Sequence, residues 1–476
     1  MRETPVHRTA LEIRESVARG TSSAQQMVAE RLKLIGVVES EINAIAALRE
    51  DGAEADALRV DGDPRLQKGP LAGVPVVVKD VHEVAGLPFA NGSRAMQGYT
   101  PEFDTEVVSR LKEAGAIILG STVMPEFGLQ ARTENALHGS TRNPRNLEFG
   151  PAGSSGGAAA AVAAEMAPLA LAGDGAGSGR APAAACGIVG LKPTRGRIPW
   201  GPSAYEHWAG LVTSSPMART VRDAALMLDV IAGPMSGEPY GLPRQPEGSF
   251  LAACDRPPEK LRIAYTFTPP HGSLDPSIRE TVRSALSVFE DLPHTLTEAA
   301  PDLGGMLDPF LSIMAGNVAA LVRGIPPSRL DRVEPTSLDI AMHGERMTSA
   351  DYCSAVTACR TLAARVLRFW DEEKYDVLIT PTIARPPYRV DEGPSGEGFL
   401  ERWREFADML AFGYPFNMTG QPAMSIPCGV DDNGVPVGLQ LVGRPGDEGV
   451  LFGLAAQLEG LCPEQAAPSW PYASGN

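Results

Sequence analysis

The sequence predicts an α/β protein with a single domain built around one β-sheet, and three observations predict this. Short, continuously apolar runs at 74–78 and 116–119 are typical of strands buried on both faces. A helical pattern at 104–114 precedes the second run, with Gly115 between them, which is the alternation of a largely parallel sheet. The chain of 476 residues shows no internal repeat and no clear interdomain linker.

The remaining elements follow in order along the chain. Two amphipathic helices are predicted within 8–47, separated at Gly20, whereas the polar stretch 48–69 is predicted to be irregular. Further helices are predicted at 158–165, 220–231, 350–373 and 449–461, with another that starts at Asp275. Further strands are predicted at 261–265, 377–381 and 437–442, a surface excursion rich in Pro, Gly and Ser at 232–258, and an apolar, turn-rich stretch at 412–427.

Composition and charge exclude several function classes. The net charge of −16, without a basic patch, argues against a nucleic-acid partner. No apolar run is long enough for a membrane span, and the N-terminus lacks the pattern of a signal peptide. Six cysteines without a C-x-x-C pair predict reduced thiols in a cytoplasmic protein, and seven dispersed histidines predict neither a metal site nor a cofactor.

Residues 150–197 contain two serines embedded in glycine, Ser154 and Ser178, which lie 24 positions apart. Dense glycine beside a hydroxyl indicates backbone that approaches another group closely or exposes its N–H groups. The segment around Ser154 fits G-x-S-x-G, but no strand directly precedes it, which disfavours an α/β-hydrolase. The segment 173–177 lacks the lysine of a phosphate-binding loop.

A serine nucleophile needs a base, and no histidine pattern supplies one. A lysine can act as this base if burial lowers its pKa toward neutrality, because desolvation disfavours the charged ammonium. Lys79 directly follows the apolar run 74–78, and chemistry in parallel sheets gathers at the carboxyl ends of strands. The same position suits a solvated lysine at the end of a strand, so both interpretations remain open.

Taken together, these segments resemble the amidase signature family. Residues 69–80 match its pattern G-P-L-x-G-x-P-x-x-x-K-D, and residues 152–157 are similar to its G-G-S-S-G-G. Residues 172–180 are similar to G-T-D-x-G-G-S-x-R, and C-G-x-x-G-L-K-P-T is intact at 186–194. Weaker matches at 124–127, 143–144, 417–422 and 436–440 extend the resemblance over nearly the whole chain, in order.

The resemblance implies a fold with one large mixed, mainly parallel sheet wrapped by helices, and an amidohydrolase that acts on carbon–nitrogen bonds. It implies that Ser178 is the nucleophile, that Ser154 is a bridging hydroxyl on a cis peptide with Gly153, and that Lys79 is the base. Ser155 is implied as a hydrogen-bonding support. The remaining implied roles are an oxyanion site formed by the backbone N–H groups of Gly175, Ala176, Gly177 and Ser178, and loops held together by Asp174 and Arg180.

The whole chain, 1–476, is therefore expected to be a single amidase domain. Its expected parts are an N-terminal helical segment (1–60), the amidase signature core (70–200), a variable excursion (232–310) and a C-terminal part (350–476). Three departures from the family pattern lie around the nucleophile: Gly173 replaces Thr, Ala176 replaces Gly, and Gly179 replaces an apolar residue. Ala176 is tolerable there only if its φ is negative, and Gly179 is expected to loosen or open its surroundings.

Aromatic side chains predict a hydrophobic substrate pocket, although they are also compatible with a core. The pocket candidates are His82, Trp200, Tyr205, Phe412, Tyr414 and Phe416. Where glutaminase chains of the family carry an acidic residue, this chain has Leu410. We therefore expect a monomeric or homodimeric hydrolase of small hydrophobic or aryl amides, with esters and carbamates also accepted. The alternatives are a glutaminase component of a multi-subunit amidotransferase and a non-catalytic binding protein.

Overall fold

The computed structural model of the chain describes residues 8–243 and 248–461. Within these residues, eleven strands form one sheet and two short strands form a separate pair. Helices pack against the sheet, so the prediction of one large mixed sheet wrapped by helices is confirmed.

The strands differ widely in burial, and those nearest the centre of the sheet are covered on both faces. They are, in chain order, β1 (Ile45–Leu48), β2 (Pro75–Lys79), β3 (Ile117–Thr122), β4 (Glu134–Asn135), β5 (Gly139–Ser140), β6 (Leu169–Asp174), β7 (Val189–Lys192), β8 (Thr213–Ala218), β9 (Arg262–Tyr265), β10 (Thr295–Glu298), β11 (Val377–Pro381), β12 (Ala423–Val430) and β13 (Pro436–Val442).

Most helices present one apolar stripe to the sheet or to a neighbouring helix. They are α1 (Ala10–Ala18), α2 (Ala24–Ile42), α3 (Glu50–Gly62), α4 (Glu106–Glu113), α5 (Gly156–Ala163), α6 (Arg180–Cys186), α7 (Val221–Ile231), α8 (Phe250–Ala253), α9 (Pro276–Leu286), α10 (Leu307–Arg323), α11 (Pro335–Glu345), α12 (Ser349–Glu373), α13 (Phe399–Met409), α14 (Tyr414–Thr419) and α15 (Glu448–Leu461).

The order of strands in the sheet is β1-β3-β2-β6-β8-β7-β12-β13-β11-β9-β10. Parallel pairing joins β2 to both β3 and β6, and joins β9 to both β10 and β11. The strands between β6 and β11 pair antiparallel, as does β1 with β3. Because β2 and β6 are parallel neighbours, their carboxyl ends lie at the same edge of the sheet, which brings Lys79 and Asp174 to one place.

Several elements agree closely with the sequence pattern. Strand β11 has the predicted bounds, and α9 begins with Asp275 as its N-cap and a proline in its first turn. The two predicted N-terminal helices are α1 and α2, and Ser23 caps the second. These segments combine clear periodicity with local capping signals, which makes them visible without tertiary information.

Other segments differ from the pattern. The stretch predicted to be irregular at 48–69 contains α3, whose buried residues Ala53, Ala57 and Val60 are small and few among charged neighbours. The turn-rich stretch at 412–427 contains α14 and the start of β12. The predicted excursion at 232–258 contains the short helix α8, which buries Phe250, and residues 244–247 lie outside the described part. The segment 232–310 also supplies β9 and β10 to one edge of the sheet.

Among the helices of the described residues, none combines the length and apolar character needed to span a membrane.

A glycine in β3 tests the close approach of β1 to the sheet. A Cβ at Gly120 would overlap the carbonyl oxygen of Ala47 in β1, so Gly120→Ala should lower the free energy of unfolding by about 1–3 kcal/mol. As a matched control, Gly36→Ala on the exposed face of α2 places a Cβ with nothing within 4 Å and should stabilise by about 0.5–1 kcal/mol. Denaturant unfolding of both variants measures this difference, and equal stability of the two would contradict it.

Candidate active site

Three side chains from separate parts of the chain form a line of hydrogen bonds. Lys79 Nζ lies 2.7 Å from Ser154 Oγ, and Ser154 Oγ lies 3.0 Å from Ser178 Oγ. All three side chains are buried, with Ser178 the most exposed at 8%. The three residues singled out in the sequence are therefore brought together in a continuous path from an amine to a hydroxyl.

Lys79 reaches this place because the strand before it is entirely apolar. Residues 74–78 are fully buried, and Lys79 at the end of β2 is 3% exposed. Burial lowers the pKa of Lys79 to about 7, against the smaller opposing effect of the Asp174 charge. A large fraction of this amine is therefore neutral near neutral pH and able to accept a proton.

Ser154 lies at the end of a close-packed loop that leads into α5. The Gly153–Ser154 peptide bond is cis, and a Cβ at Gly153 would lie 2.6 Å from the backbone nitrogen of Arg132. Ser155 Oγ donates to the carbonyl oxygen of Gly173 at 2.9 Å and accepts from the Gly173 N–H at 3.4 Å. Ser155 thus ties the Ser154 loop to β6, as its supporting role requires.

The loop that carries Ser178 curls around the carboxylate of Asp174. Asp174 accepts the N–H groups of Gly177, at 2.8 Å, and of Gly179, at 3.1 Å. The Gly177 N–H was predicted to face the oxyanion site, but it is already donated to Asp174. This difference has a simple cause, since the loop bends back on the residue that precedes it.

Three other amides of this loop remain available. The N–H groups of Gly175, Ala176 and Ser178 donate no hydrogen bond within the described part of the chain. The φ of Ala176 is not positive, which is the condition for tolerating its Cβ, whereas Gly177 has a φ of 117° that favours glycine. The oxyanion candidates that the geometry leaves are therefore Gly175, Ala176 and Ser178.

A fully buried ion pair holds the loop from behind. Arg180 donates to both carboxylate oxygens of Asp174, at 2.9 and 3.0 Å, and both side chains are 0% exposed. Burial alone would raise the pKa of Asp174, but the charge and hydrogen bonds of Arg180 hold that pKa well below its ordinary value. Arg180 also donates to Gln440 and to Asn417, at 2.7 and 2.8 Å. The sequence offered these two partners only as weak motif matches.

The predicted pocket residues fall into two groups, and the first surrounds Trp200. His82 is stacked on Trp200 with 5.0 Å between ring centroids, and both are buried. Burial lowers the pKa of His82 to about 3, so its ring is neutral, and Nε2 lies 3.3 Å from the carbonyl oxygen of Ala172. Tyr205 is 40% exposed and packs against Gly237 instead.

The second group lies around α14. Phe412 and Phe416 are 0% exposed and belong to the main hydrophobic core, which favours the core interpretation for both. Tyr414 is also buried, and its hydroxyl lies 2.9 Å from Nε2 of His271. The other ring nitrogen of His271 lies 3.0 Å from Asp408.

The residues nearest the nucleophile loop were not predicted as pocket residues. A Cβ at Gly175 would lie 3.2 Å from Val212 and 3.3 Å from Trp208, and one at Gly177 would lie 3.5 Å from Leu410. On the opposite side, a Cβ at Gly128 would lie 3.4 Å from Ser154 Oγ. These walls come from distant segments, and the sequence singles out only Leu410 among them, as the residue that replaces an acid.

Within residues 8–243 and 248–461, no three His, Cys, Asp or Glu side chains lie close enough together to hold a metal ion.

Comparison with known proteins identifies the family. The Amidase family model matches residues 26–452, which is most of the chain. The chain belongs to the amidase family. It is an amidohydrolase that acts on carbon–nitrogen bonds.

Individual amidases resemble the whole chain. A 6-aminohexanoate-cyclic-dimer hydrolase of Paenarthrobacter ureafaciens is 35% identical, over 94% of each protein. The amidase-family component of the glutamyl-tRNA(Gln) amidotransferase of Methanosarcina acetivorans is 33% identical, over 92% of this chain and 94% of that protein. The crystal structure of a bacterial aryl acylamidase of the amidase signature family superposes with a TM-score of 0.88 at 26% identity, covering 99% of each chain.

The three departures from the amidase pattern have different surroundings. A Cβ at Gly179 would overlap the side chain of Ser215, whose Oγ donates to the carbonyl oxygen of Leu191 at 2.7 Å. The space beside Gly179 is therefore occupied, contrary to the expectation that this glycine opens it. A Cβ at Gly173 would make only ordinary contacts, at 3.7 Å to Val81 and 3.8 Å to Trp200.

Exchange between Gly179 and Ser215 should be measurable as coupling. Gly179→Ala places a Cβ 2.7 Å from the Ser215 Cβ and should lower the free energy of unfolding by about 1–3 kcal/mol. Adding Ser215→Gly removes the overlapping side chain and should recover much of that loss, beyond the sum of the single effects. Thermal unfolding of the two single variants and the double variant provides the measurement. Purely additive effects would show that the two side chains do not compete for this space.

Proposed function

We propose that the protein hydrolyses hydrophobic and aryl amides through a serine acyl-enzyme, and that it also accepts esters and carbamates. In this proposal Ser178 is the nucleophile, Ser154 passes the proton, and Lys79 is the base. The observation that carries it is the unbroken hydrogen-bonded line from a lysine with a pKa of about 7 to the Ser178 hydroxyl.

Acylation begins when Ser178 Oγ attacks the carbonyl carbon of the amide. Ser154 accepts the proton of Ser178 and gives its own proton to the neutral amine of Lys79. A C–O bond forms and the carbonyl electron pair moves to the oxygen, which becomes an oxyanion. The free N–H groups of Gly175, Ala176 and Ser178 are placed to stabilise this charge, and one such donor typically contributes about 2.7–4 kcal/mol.

The same path then operates in reverse. The Lys79 ammonium returns a proton to Ser154, and Ser154 donates its proton to the leaving nitrogen as the C–N bond breaks. Water attacks the acyl-enzyme with Lys79 again acting as base through Ser154, and the carboxylic acid is released. No histidine takes part, which agrees with the neutral, stacked position of His82.

The walls around the nucleophile loop support a hydrophobic substrate. Trp208, Val212 and Leu410 lie against Gly175 and Gly177, and none of them carries a charge. The names of similar proteins, a cyclic-dimer hydrolase and an aryl acylamidase, point to amides of related size. A glutaminase would need charged groups to hold the ammonium and carboxylate of glutamine, and Leu410 is a buried leucine beside the loop.

The glutaminase alternative has support in the similarity to a component of glutamyl-tRNA(Gln) amidotransferase. Release of ammonia from glutamine, or copurification with smaller partner proteins, would favour it. We retain a monomeric or homodimeric, cytoplasmic enzyme in the proposal. Its support is that Cys186, Cys254, Cys353 and Cys359 are free thiols.

The rate of acylation should depend on pH through Lys79. Because Lys79 must be neutral to accept a proton, and burial lowers its pKa to about 7, kcat/KM for a nitroanilide should rise with pH and level off above this value. Below it the lysine is charged and the rate should fall about tenfold per pH unit. A profile that is flat from about pH 5 to pH 9, with the fold intact, would contradict Lys79 as the base.

Removal of either end of the path should abolish turnover. Ser178→Ala and Lys79→Ala should each lower kcat by roughly 10⁴-fold or more on a panel of nitroanilides, aryl amides, esters and carbamates. A fluorophosphonate should label the native protein at Ser178 and should fail to label Lys79→Ala. Ser109→Ala on α4 serves as a control for serine loss away from the site. Labelling of a residue other than Ser178, or a panel left untouched by the native protein, would exclude the proposal.

A further inference from the structure

A cavity of about 340 Å³ lies between helix α13 and the chain segment that follows Gly128. It takes no part in the proton path described above. Its lining is mostly apolar, and the apolar side chains are those of Leu129, Ile340, Phe399, Trp403 and Phe406. A volume of this order accommodates an aromatic ring with a substituent.

Two contacts place the cavity on one particular side of the active site. Leu129 in its lining directly follows Gly128, the residue whose Cβ position is 3.4 Å from Ser154 Oγ and 4.0 Å from Lys79 Nζ. Arg132, also in the lining, has its backbone packed against Gly153. The cavity therefore adjoins the Ser154 and Lys79 side of the site.

The opposite side of the site belongs to the oxyanion. Trp208 and Leu410 cover the loop residues Gly175 and Gly177 there. In the proposed reaction, the leaving nitrogen must come within hydrogen-bonding distance of Ser154 Oγ in order to receive its proton. The amine part of the substrate consequently extends toward Ser154 and away from the oxyanion loop, which is the direction of the cavity.

We propose that this cavity is the subsite for the amine part of the substrate, and that it selects a neutral aryl or alkyl group that carries a hydrogen-bond acceptor. The inference rests on the proposed serine mechanism for its orientation, and on the cavity itself for its chemistry. Ketone, ether and amide oxygens are acceptors of the required kind.

The need for an acceptor comes from Trp403. This side chain is 4% exposed and lines the cavity, and its Nε1 makes no hydrogen bond within the described residues. An indole N–H can only donate, and buried donors are normally paired. An acceptor on a bound amine group would satisfy it.

The preference for a neutral group comes from the two arginines of the lining. Arg132 lies 3.1 Å from Glu134 and also donates to Gln130 and to the carbonyl oxygen of Glu392. Arg402 lies 2.6 Å from Asp339. Because each guanidinium already faces a carboxylate, the cavity has no uncompensated positive charge to attract an anionic substrate.

The test compares anilides that share one acyl group and differ at the para position of the aniline ring, which carries hydrogen, an acetyl group or a carboxylate. Trp403→Phe keeps an aromatic ring and removes the N–H. It should lower the ratio of kcat/KM for the acetyl anilide to that for the plain anilide by roughly fivefold to tenfold, the size of one neutral hydrogen bond. Comparison of ratios removes the electronic effect of the substituent.

Trp370→Phe is the matched control. Trp370 is also buried, and its Nε1 also has no partner within the described residues, but it lies on α12 and does not line the cavity. This variant should leave the ratio unchanged. An unchanged ratio in Trp403→Phe, an equal change in Trp370→Phe, or a preference of the native enzyme for the carboxylate would overturn the inference.

Two further measurements separate this inference from the proposed mechanism. All these anilides form the same acyl-enzyme, so Trp403→Phe should alter acylation and leave the rate of deacylation unchanged. A changed deacylation rate would place the acyl part in the cavity and overturn the assignment. Binding of 4-aminoacetophenone to Ser178→Ala, weakened by Trp403→Phe, tests the subsite without turnover. If Ser178 fails to react with a fluorophosphonate while this binding persists, the mechanism fails and the aryl amine site stands.

Discussion

The buried ion pair between Asp174 and Arg180 is the interaction on which the site depends. Two charges removed from water are costly unless every donor and acceptor is paired, and here the carboxylate receives the guanidinium and the N–H groups of Gly177 and Gly179. One side chain thereby sets the curvature of the nucleophile loop. Its charge also opposes the effect of burial on the pKa of Lys79, so the geometry of the loop and the proton affinity of the candidate base share one origin.

Burial alone does not make a lysine a base. Lys192 also ends a strand and is 1% exposed, and burial lowers its pKa well below the ordinary value. Its Nζ donates to the carbonyl oxygen of Pro193, whereas the Lys79 amine faces the hydroxyl of Ser154. The difference between the two lies in the partner, because a neutral amine relays a proton only when a hydroxyl lies beside it.

This contrast explains how much the sequence could predict. Bounds such as those of β11 and the spacing of motif residues are local properties, so they are legible in the chain itself. Helix α3 was missed because its buried stripe consists of two alanines and a valine. The walls formed by Trp208 and Val212 were missed because they meet the loop at Gly175 only after folding. The loss of the Gly177 amide to Asp174 likewise depends on a side-chain position that no motif records.

The departures within the nucleophile loop therefore explain little of the choice of substrate. Ser215 occupies the space beside Gly179, and Gly173 faces Val81 and Trp200 without strain, so neither glycine opens a new pocket. The surfaces that differ in shape and chemistry come instead from the segment that carries Trp208 and from helix α13, outside the motif segments. A family that keeps the same proton path can change its substrates by altering such segments, because they contact the two arms of the substrate while leaving the ion pair behind the loop untouched.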